Sequence, residues 1–266
     1  MIWATLSIGA FFELLPFFWV VSTSFKIRSQ ILRFPPQWIP DPIVLKNFVE
    51  AFNTIPITHF LCNSVVVATS ITFAQVLTGV LAAYAFARIN FYGRDILFIL
   101  FLSTMMIPGH ALIIPHFLLI QKFGMIDTYG GLILPKVTHA FGIFLLRQFF
   151  MTIPHDLEDA AKLDGCSRLR ILFNIILPMS VPVIMALIIL TFMQGWNDLL
   201  WPLIVTQTDR VRTITVGLGH FVESQGHRIE YGPMMAASLV AILPTLIVYL
   251  FAQKHFVRGI MLTGLK

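Results

Sequence analysis

Charge is what this chain has least of. Lys, Arg, Asp and Glu make up 12% of its 266 residues against 57% hydrophobic side chains, too little polar surface to clothe a water-soluble globule. The intervals 51–87, 96–121, 171–197 and 231–253 contain no Asp, Glu, Lys or Arg at all. The shortest of them, coiled as an α-helix, reaches roughly 35 Å and exceeds a hydrocarbon core of about 30 Å. Cysteine is nearly absent too, and Cys62 and Cys166 are expected near opposite membrane faces, so neither a disulfide nor a thiolate metal site follows. A phosphate-cradling GxxxxGK[S/T] is missing, which places any nucleotide on a partner. His110, His116 and His139 fall at membrane depth without HExxH or Cys–His spacing, so they read as polar residues at helix interfaces rather than metal ligands. No cofactor, metal or enzymatic centre is expected. The apolar runs are continuous instead of alternating with period two, which excludes a transmembrane β-barrel.

What is present is a series of helical spans. Two more apolar stretches are interrupted by single charges, 2–25 by Glu13 and 128–146 by Lys136. An all-α polytopic protein with six transmembrane helices follows, with residues 1–266 forming one transmembrane domain. The spans fall at about 2–25, 60–87, 96–121, 128–146, 181–201 and 233–253. The first has no basic leader and no small-residue cleavage site, so it is expected to stay in the protein. Arg88, Arg94, Arg147, Lys162, Arg168, Arg170, Lys254, Arg258 and Lys266 cluster in short segments on one side, which favours that side, with a tail at about 254–266, being cytoplasmic. The net charge of +5 then reflects juxtamembrane Lys and Arg beside lipid, and no nucleic-acid partner is implied. Glu13 and Lys136 are costly in hydrocarbon and are expected to face the bundle interior.

One polar interruption, 152–178, carries most of the information. Thr152 and Pro154 can start a helix, Asp156, Glu158 and Asp159 suit the positive end of its dipole, and Gly165 can stop it. Leu157, Ala160 and Ala161 would share a shallow face, and Glu158 would pair with Lys162 on the outside. Ser167 can cap a second helix whose stripe, Leu169, Leu172, Phe173, Ile176 and Leu177, faces a core. Such a small-residue knob on a rigid base suits a groove on another protein, or else the helix lies on lipid headgroups.

The run "LEDAAKLDG" followed by "IILPMSVP" resembles the EAA loop of binding-protein-dependent ABC importer permeases. The segments "LPFFWVVSTSFK", "AAYAFARINFYGRD", "GLILPKVTHAFGIFLLRQFF" and "FMQGWNDLLWPLIV" extend the similarity over nearly the whole chain, toward the sugar-importer branch. The resemblance implies a bacterial or archaeal inner-membrane permease subunit whose cytoplasmic loop docks on an ATPase through Glu158, Asp159, Ala160, Ala161, Asp164 and Gly165. Asp159 stands where the motif has Glu. Its implied partners are a second permease in a heterodimer, two ATP-binding subunits and an extracytoplasmic sugar-binding protein, and its implied cargo is a sugar, an oligosaccharide first of all.

In "GWNDLLWP", Asn197 and Asp198 lie between Trp196 and Trp201, and hydrogen-bonding groups beside aromatic faces suit a carbohydrate. With His139 they are the candidate substrate path, while the tryptophans could equally be interface anchors. Two alternatives stay open. A glycerol-phosphate or polyol importer would use Arg210, Arg212 and Arg228 in the loop 207–230, and an ion-coupled secondary transporter would need intramembrane carboxylates such as Glu13.

Overall fold

The computed structural model describes residues 2–223 and 230–263. Among them there is no strand. The principal helices are α1 (Ile2–Ser24), α2 (Lys46–Thr54), α3 (Ile57–Arg88), α4 (Arg94–Ser103), α5 (Ile113–Lys122), α6 (Tyr129–Ile133), α7 (Ala140–Thr152), α8 (His155–Leu163), α9 (Arg168–Ile171), α10 (Val181–Trp196), α11 (Leu200–Val205) and α12 (Tyr231–Thr263). The backbone of the expected C-terminal tail is a continuation of α12 as far as Thr263, and 264–266 lie outside the described residues.

Membrane-spanning capacity is distributed in two ways. Three helices are each long and apolar enough to cross by themselves, Thr5–Ser24, Ile57–Arg88 and Tyr231–Phe251. Three further spans are bent pairs: Arg94–Met106 with Gly109–Lys122 at 92°, Tyr129–Lys136 with Ala140–Thr152 at 45°, and Arg168–Met179 with Val181–Trp196 at 82°. The expectation of an unbroken helix over 96–121 is thereby corrected. Pro108 disfavours helical geometry at the residue before it, and Ile107 is extended, with ψ 118°. The span expected at 181–201 likewise stops at Trp196 and resumes as α11.

The chain forms two compact units, Met1–Ser64 with Asp209–Leu246, and Val65–Thr208 with Ile247–Lys266. In the first, buried side-chain amides hold loop carbonyls in place. Asn47 Nδ2 donates to the carbonyls of Ser24 at 2.9 Å and Lys26 at 2.8 Å. Asn63 Nδ2 donates to Arg212 O at 2.9 Å, and Ser64 Oγ accepts from Ile214 N at 2.8 Å. Lys26, itself buried, sets its ammonium 3.9 Å from the centroid of the Trp19 ring, whose negative face offsets part of the desolvation cost. Glu13 is exposed on α1 within this chain, so its expected inward orientation is not found. The cause is that α1 is barely covered, with 6% of its apolar window buried.

The second unit contains a continuous apolar core. Val80 and Tyr84 of α3 meet Ile143, Leu146 and Phe150 of α7, Leu187 of α10, and Ile171, Leu172 and Ile176 of the segment that follows α8. Small residues set the helix spacing, as they do where lipid supplies no hydrophobic drive. A Cβ on Gly142 would lie 3.1 Å from Leu187, and one on Gly195 3.3 Å from the Ala68 backbone. Thr72 returns its hydroxyl to the Ala68 carbonyl four residues back at 2.7 Å, so it leaves no unmet donor in the α3 wall.

Gly131 gives the most direct packing test. A Cβ there would sit 2.2 Å from the Met125 carbonyl oxygen, a backbone atom that cannot swing aside. Gly131→Ala should destabilise the protein by about 1–3 kcal/mol, whereas Gly109→Ala, with no atom within 4 Å, should change stability by under about 0.5 kcal/mol. Thermal unfolding in detergent reads both.

Candidate functional sites: the α8 turn and a polar cavity

α8 ends in a fully hydrogen-bonded stop. Gly165 adopts φ +77°, its N–H donates to Lys162 O at 3.0 Å, and the Cys166 N–H donates to Ala161 O at 2.9 Å. These are the paired bonds of a Schellman turn, which a glycine closes without Cβ strain. The helix therefore ends where the sequence requires.

Its faces are arranged differently from the expectation. Glu158 does not pair with Lys162 on the surface; it is 2% exposed, with its carboxylate 3.1 Å from Arg88 Nε. Ala161 turns inward with it, while Leu157, Ala160 and Leu163 face outward, Leu163 at 90% exposure. Lys162 pairs instead with Asp159 at 2.8 Å, and that hydrogen bond holds the Asp159 carboxyl below the usual carboxylate range. Asp164 is exposed and caps the helix end.

Arg88 was legible only as a turn charge at the end of α3. In the fold its guanidinium also donates to the carbonyls of Phe150 and Ile153, the residues that end α7 and lead into α8. Arg147 adds a second tie, donating to Phe86 O at 3.2 Å with its guanidinium 4.1 Å from the Phe98 ring centroid. One buried cation thus joins three helix ends.

The stripe after Ser167 is also revised. Ser167 does cap α9, accepting from Arg170 N at 3.3 Å. Residues 172–176 then form a π-turn, whose wider i→i+5 repeat rotates the stripe. Ile171, Leu172 and Ile176 are buried, and Leu169 and Phe173 remain 61% and 52% exposed.

A second constellation lies at the break between α6 and α7. A cavity of about 220 Å³ is lined by Gln75, Lys136, Thr138, His139, Thr191 and Gln194 together with Ile71, Pro135 and Gly195. A neighbouring cavity of about 310 Å³ shares His139, Thr191 and Gln194. Lys136 turns inward as expected and is ion-paired with Asp198. His139 and Asp198 of the candidate path are therefore close to this cavity, as its wall and as the partner of its wall.

Asn197 and Trp201 are not part of that wall. Asn197 is exposed, and Trp201 is 5% exposed with its indole N–H donating to Gly131 O at 3.1 Å. Trp196 is 2% exposed and stacks on Phe192. Neither indole offers an open face to a sugar or to an interface within this chain. Gln75 and Gln194, amides inside charge-free intervals, were the residues missed, although an amide at membrane depth was a readable signal.

In the loop 207–230, Arg212 pairs with Asp209 and contacts His220, and the Arg210 carbonyl accepts from Asn63 at 3.2 Å. Arg228 lies outside the described residues.

Residues 75–261, from the cavity-lining Gln75 through α8 and into α12, match the binding-protein-dependent transport system inner membrane component family. The chain belongs to that family. It is a multi-pass inner-membrane transport component that works with a separate binding protein, and it is not an enzyme. It is 33% identical over 262 residues to a sn-glycerol-3-phosphate transport system permease protein of Yersinia pestis bv. Antiqua, covering 96% of this chain and 93% of that one. It is 34% identical over 256 residues to the arabinooligosaccharides transport system permease protein of Bacillus subtilis, covering 95% and 90%. Its fold is similar to a chain of a bacterial ABC transporter involved in the import of the acidic polysaccharide alginate, with a TM-score of 0.86, 22% identity and coverage of 95% and 94%.

The Arg88–Glu158 pair yields a quantitative expectation. Removing one partner of a buried ion pair leaves the other charge uncompensated, which costs about 3–5 kcal/mol. Glu158→Gln should therefore destabilise this permease by that amount, and Asp159→Asn on the solvated face by under about 1 kcal/mol. Equal melting shifts for the two variants would show that Glu158 is solvated.

Proposed function

We propose that this permease is one of two different membrane subunits of an ATP-driven importer for a hydroxyl-rich carbohydrate, and that α8 is the element through which two ATPase subunits drive it. The observation that carries the reading is the combination of a rigid inner face and a bare outer one. Glu158 and Ala161 fix α8 to the ends of α3 and α7, while Leu157, Ala160 and Leu163 leave small and aliphatic surface uncovered. Force applied to that surface passes into the spanning helices through a buried ion pair instead of a flexible loop. Asp159, anionic across the physiological pH range, and the Gly165 stop complete the coupling face.

A carbohydrate cargo is supported by the relative named for arabino-oligosaccharide transport and by the hydrogen-bonding lining of the cavity at His139. The glycerol-phosphate reading rests on the other set of relatives, and its candidate anion ligand Arg212 is already engaged by Asp209. The partner permease, the ATPases and the external binding protein complete the assembly.

Coupling through α8 is tested with Cys166, which is half-buried directly after the turn. In a Cys62→Ser background on inverted vesicles, a membrane-impermeant thiol reagent should label Cys166, and bound ATPase subunits should slow that labelling. Gly165→Val should abolish the protection and reduce carbohydrate uptake per ATP hydrolysed, because a left-handed residue with a Cβ costs about 1–2 kcal/mol. Labelling that is unaffected by the ATPase would place α8 on lipid.

A further inference from the structure

The segment that follows α1 turns back on the helix it has just left. Trp38 packs against the last turns of α1, stacked on Phe18 with ring centroids 6.4 Å apart and edge-on to Trp19 at 5.2 Å. Ser22 Oγ donates to the Trp38 carbonyl, which ties the backbone to the same level as the ring. Phe18, Trp19 and Ser22 all belong to the membrane-crossing stretch Thr5–Ser24. Phe18 precedes the end of that stretch by roughly 9 Å of helix rise. Trp38 is therefore held at membrane depth, not above the membrane.

The residues around Trp38 suit that depth. Residues 34–40, FPPQWIP, carry no charge. Phe34 and Ile39 are 92% and 71% exposed, and Trp38 itself is partly exposed, so apolar side chains point away from the protein. Pro35, Pro36, Pro40 and Pro42 supply no backbone N–H. Three carbonyls of the loop accept from side chains: Trp38 O from Ser22 Oγ, Ile39 O from Gln37 Nε2 at 3.1 Å, and Asp41 O from Gln30 Nε2. Both devices lower the cost of irregular backbone where water is scarce. Arg33, exposed beside Phe34, can extend its guanidinium to lipid phosphate along an aliphatic stem.

We propose that loop 33–40 is a lipid-binding anchor, inserted into the headgroup and upper acyl region of the leaflet that the C-terminal end of α1 reaches. Trp19 and Trp38 sit in the aromatic belt, Phe34 and Ile39 enter the acyl region, and Arg33 meets the phosphates. Lipid is the occupant because the loop is bound side by side to a bilayer-crossing helix, at a depth that a soluble partner does not reach. The role of the anchor follows from what α1 lacks. With 6% of its apolar window buried, α1 has little helix packing to set its depth and tilt, and interfacial aromatic and basic residues set them instead.

Site-specific labels test the depth. In a Cys62→Ser, Cys166→Ser background, single variants Phe34→Cys, Ile39→Cys and Lys46→Cys would carry an environment-sensitive fluorophore. Phe34 and Ile39 are exposed, so a cysteine there removes no internal packing. Lys46 of α2, with a side chain 78% exposed and paired with Glu50 at 2.9 Å, is the aqueous reference. The assembled transporter would be reconstituted in vesicles of phosphatidylethanolamine and phosphatidylglycerol, with and without lipid spin-labelled near the top of its acyl chain, and iodide would serve as the aqueous quencher.

Labels at the Phe34 and Ile39 positions should be quenched by the spin-labelled lipid at least about threefold more strongly than the label at the Lys46 position, and by iodide at least about threefold less. Equal quenching at all three positions would place the loop in water and overturn the anchor. Shielding of the Phe34 and Ile39 positions from both quenchers would overturn it as well, by showing that another protein subunit covers the loop. The readout is independent of the cargo and of the coupling role of α8.

Discussion

Inside hydrocarbon every backbone N–H and C=O must find a partner within the protein, and most of this structure can be understood from how that demand is met where helices break. Between Lys136 and Ala140 the α6–α7 span changes direction by 45°, which frees carbonyls from the helical ladder. Two of them, at Lys136 and Val137, accept from the side chains of Gln75 and Thr78 on α3. Polar residues in an otherwise apolar helix are thus required by the break beside it. The same break places Lys136 and His139 in the cavity wall, so the residues that satisfy the broken backbone also border the cavity.

Arg88 solves the corresponding problem at the other end of α3. Its guanidinium donors meet the carbonyls where α7 ends and face the Glu158 carboxylate. A buried ion pair alone is weak evidence for stability. Its consequence here is mechanical, because α3, α7 and α8 cannot separate without exposing a charge. In the proposed coupling role, α8 would act as a rigid lever with its uncovered side toward an ATPase subunit.

Several side chains are turned differently from the sequence expectation, for a common reason. Glu158, Ala161, Trp196 and Trp201 were expected, from their chemistry and spacing, as a surface charge, an outward alanine, and two rings open to a sugar or to the membrane interface, and all four are buried within this chain. Which side of a short helix is inside depends on what packs on it, and periodicity in a nine-residue helix cannot choose between two half-apolar faces. The π-turn at 172–176 altered the stripe after Ser167 in the same way, since it changes the residues per turn without a strong sequence mark.

By itself the sequence determined the membrane class, the six apolar spans, the helix at 155–163 with its glycine stop, and the family resemblance. These depend on local quantities: run length, the absence of charge, and the left-handed geometry that Gly165 tolerates. Only the tertiary structure decided that Arg88 holds Glu158, that Lys136 finds Asp198, and that Gln75 bonds the Lys136 carbonyl. Each of these joins residues about 60–70 positions apart, and pairing over that distance is set by which carbonyls and charges the folded helices bring together in a medium that cannot solvate them.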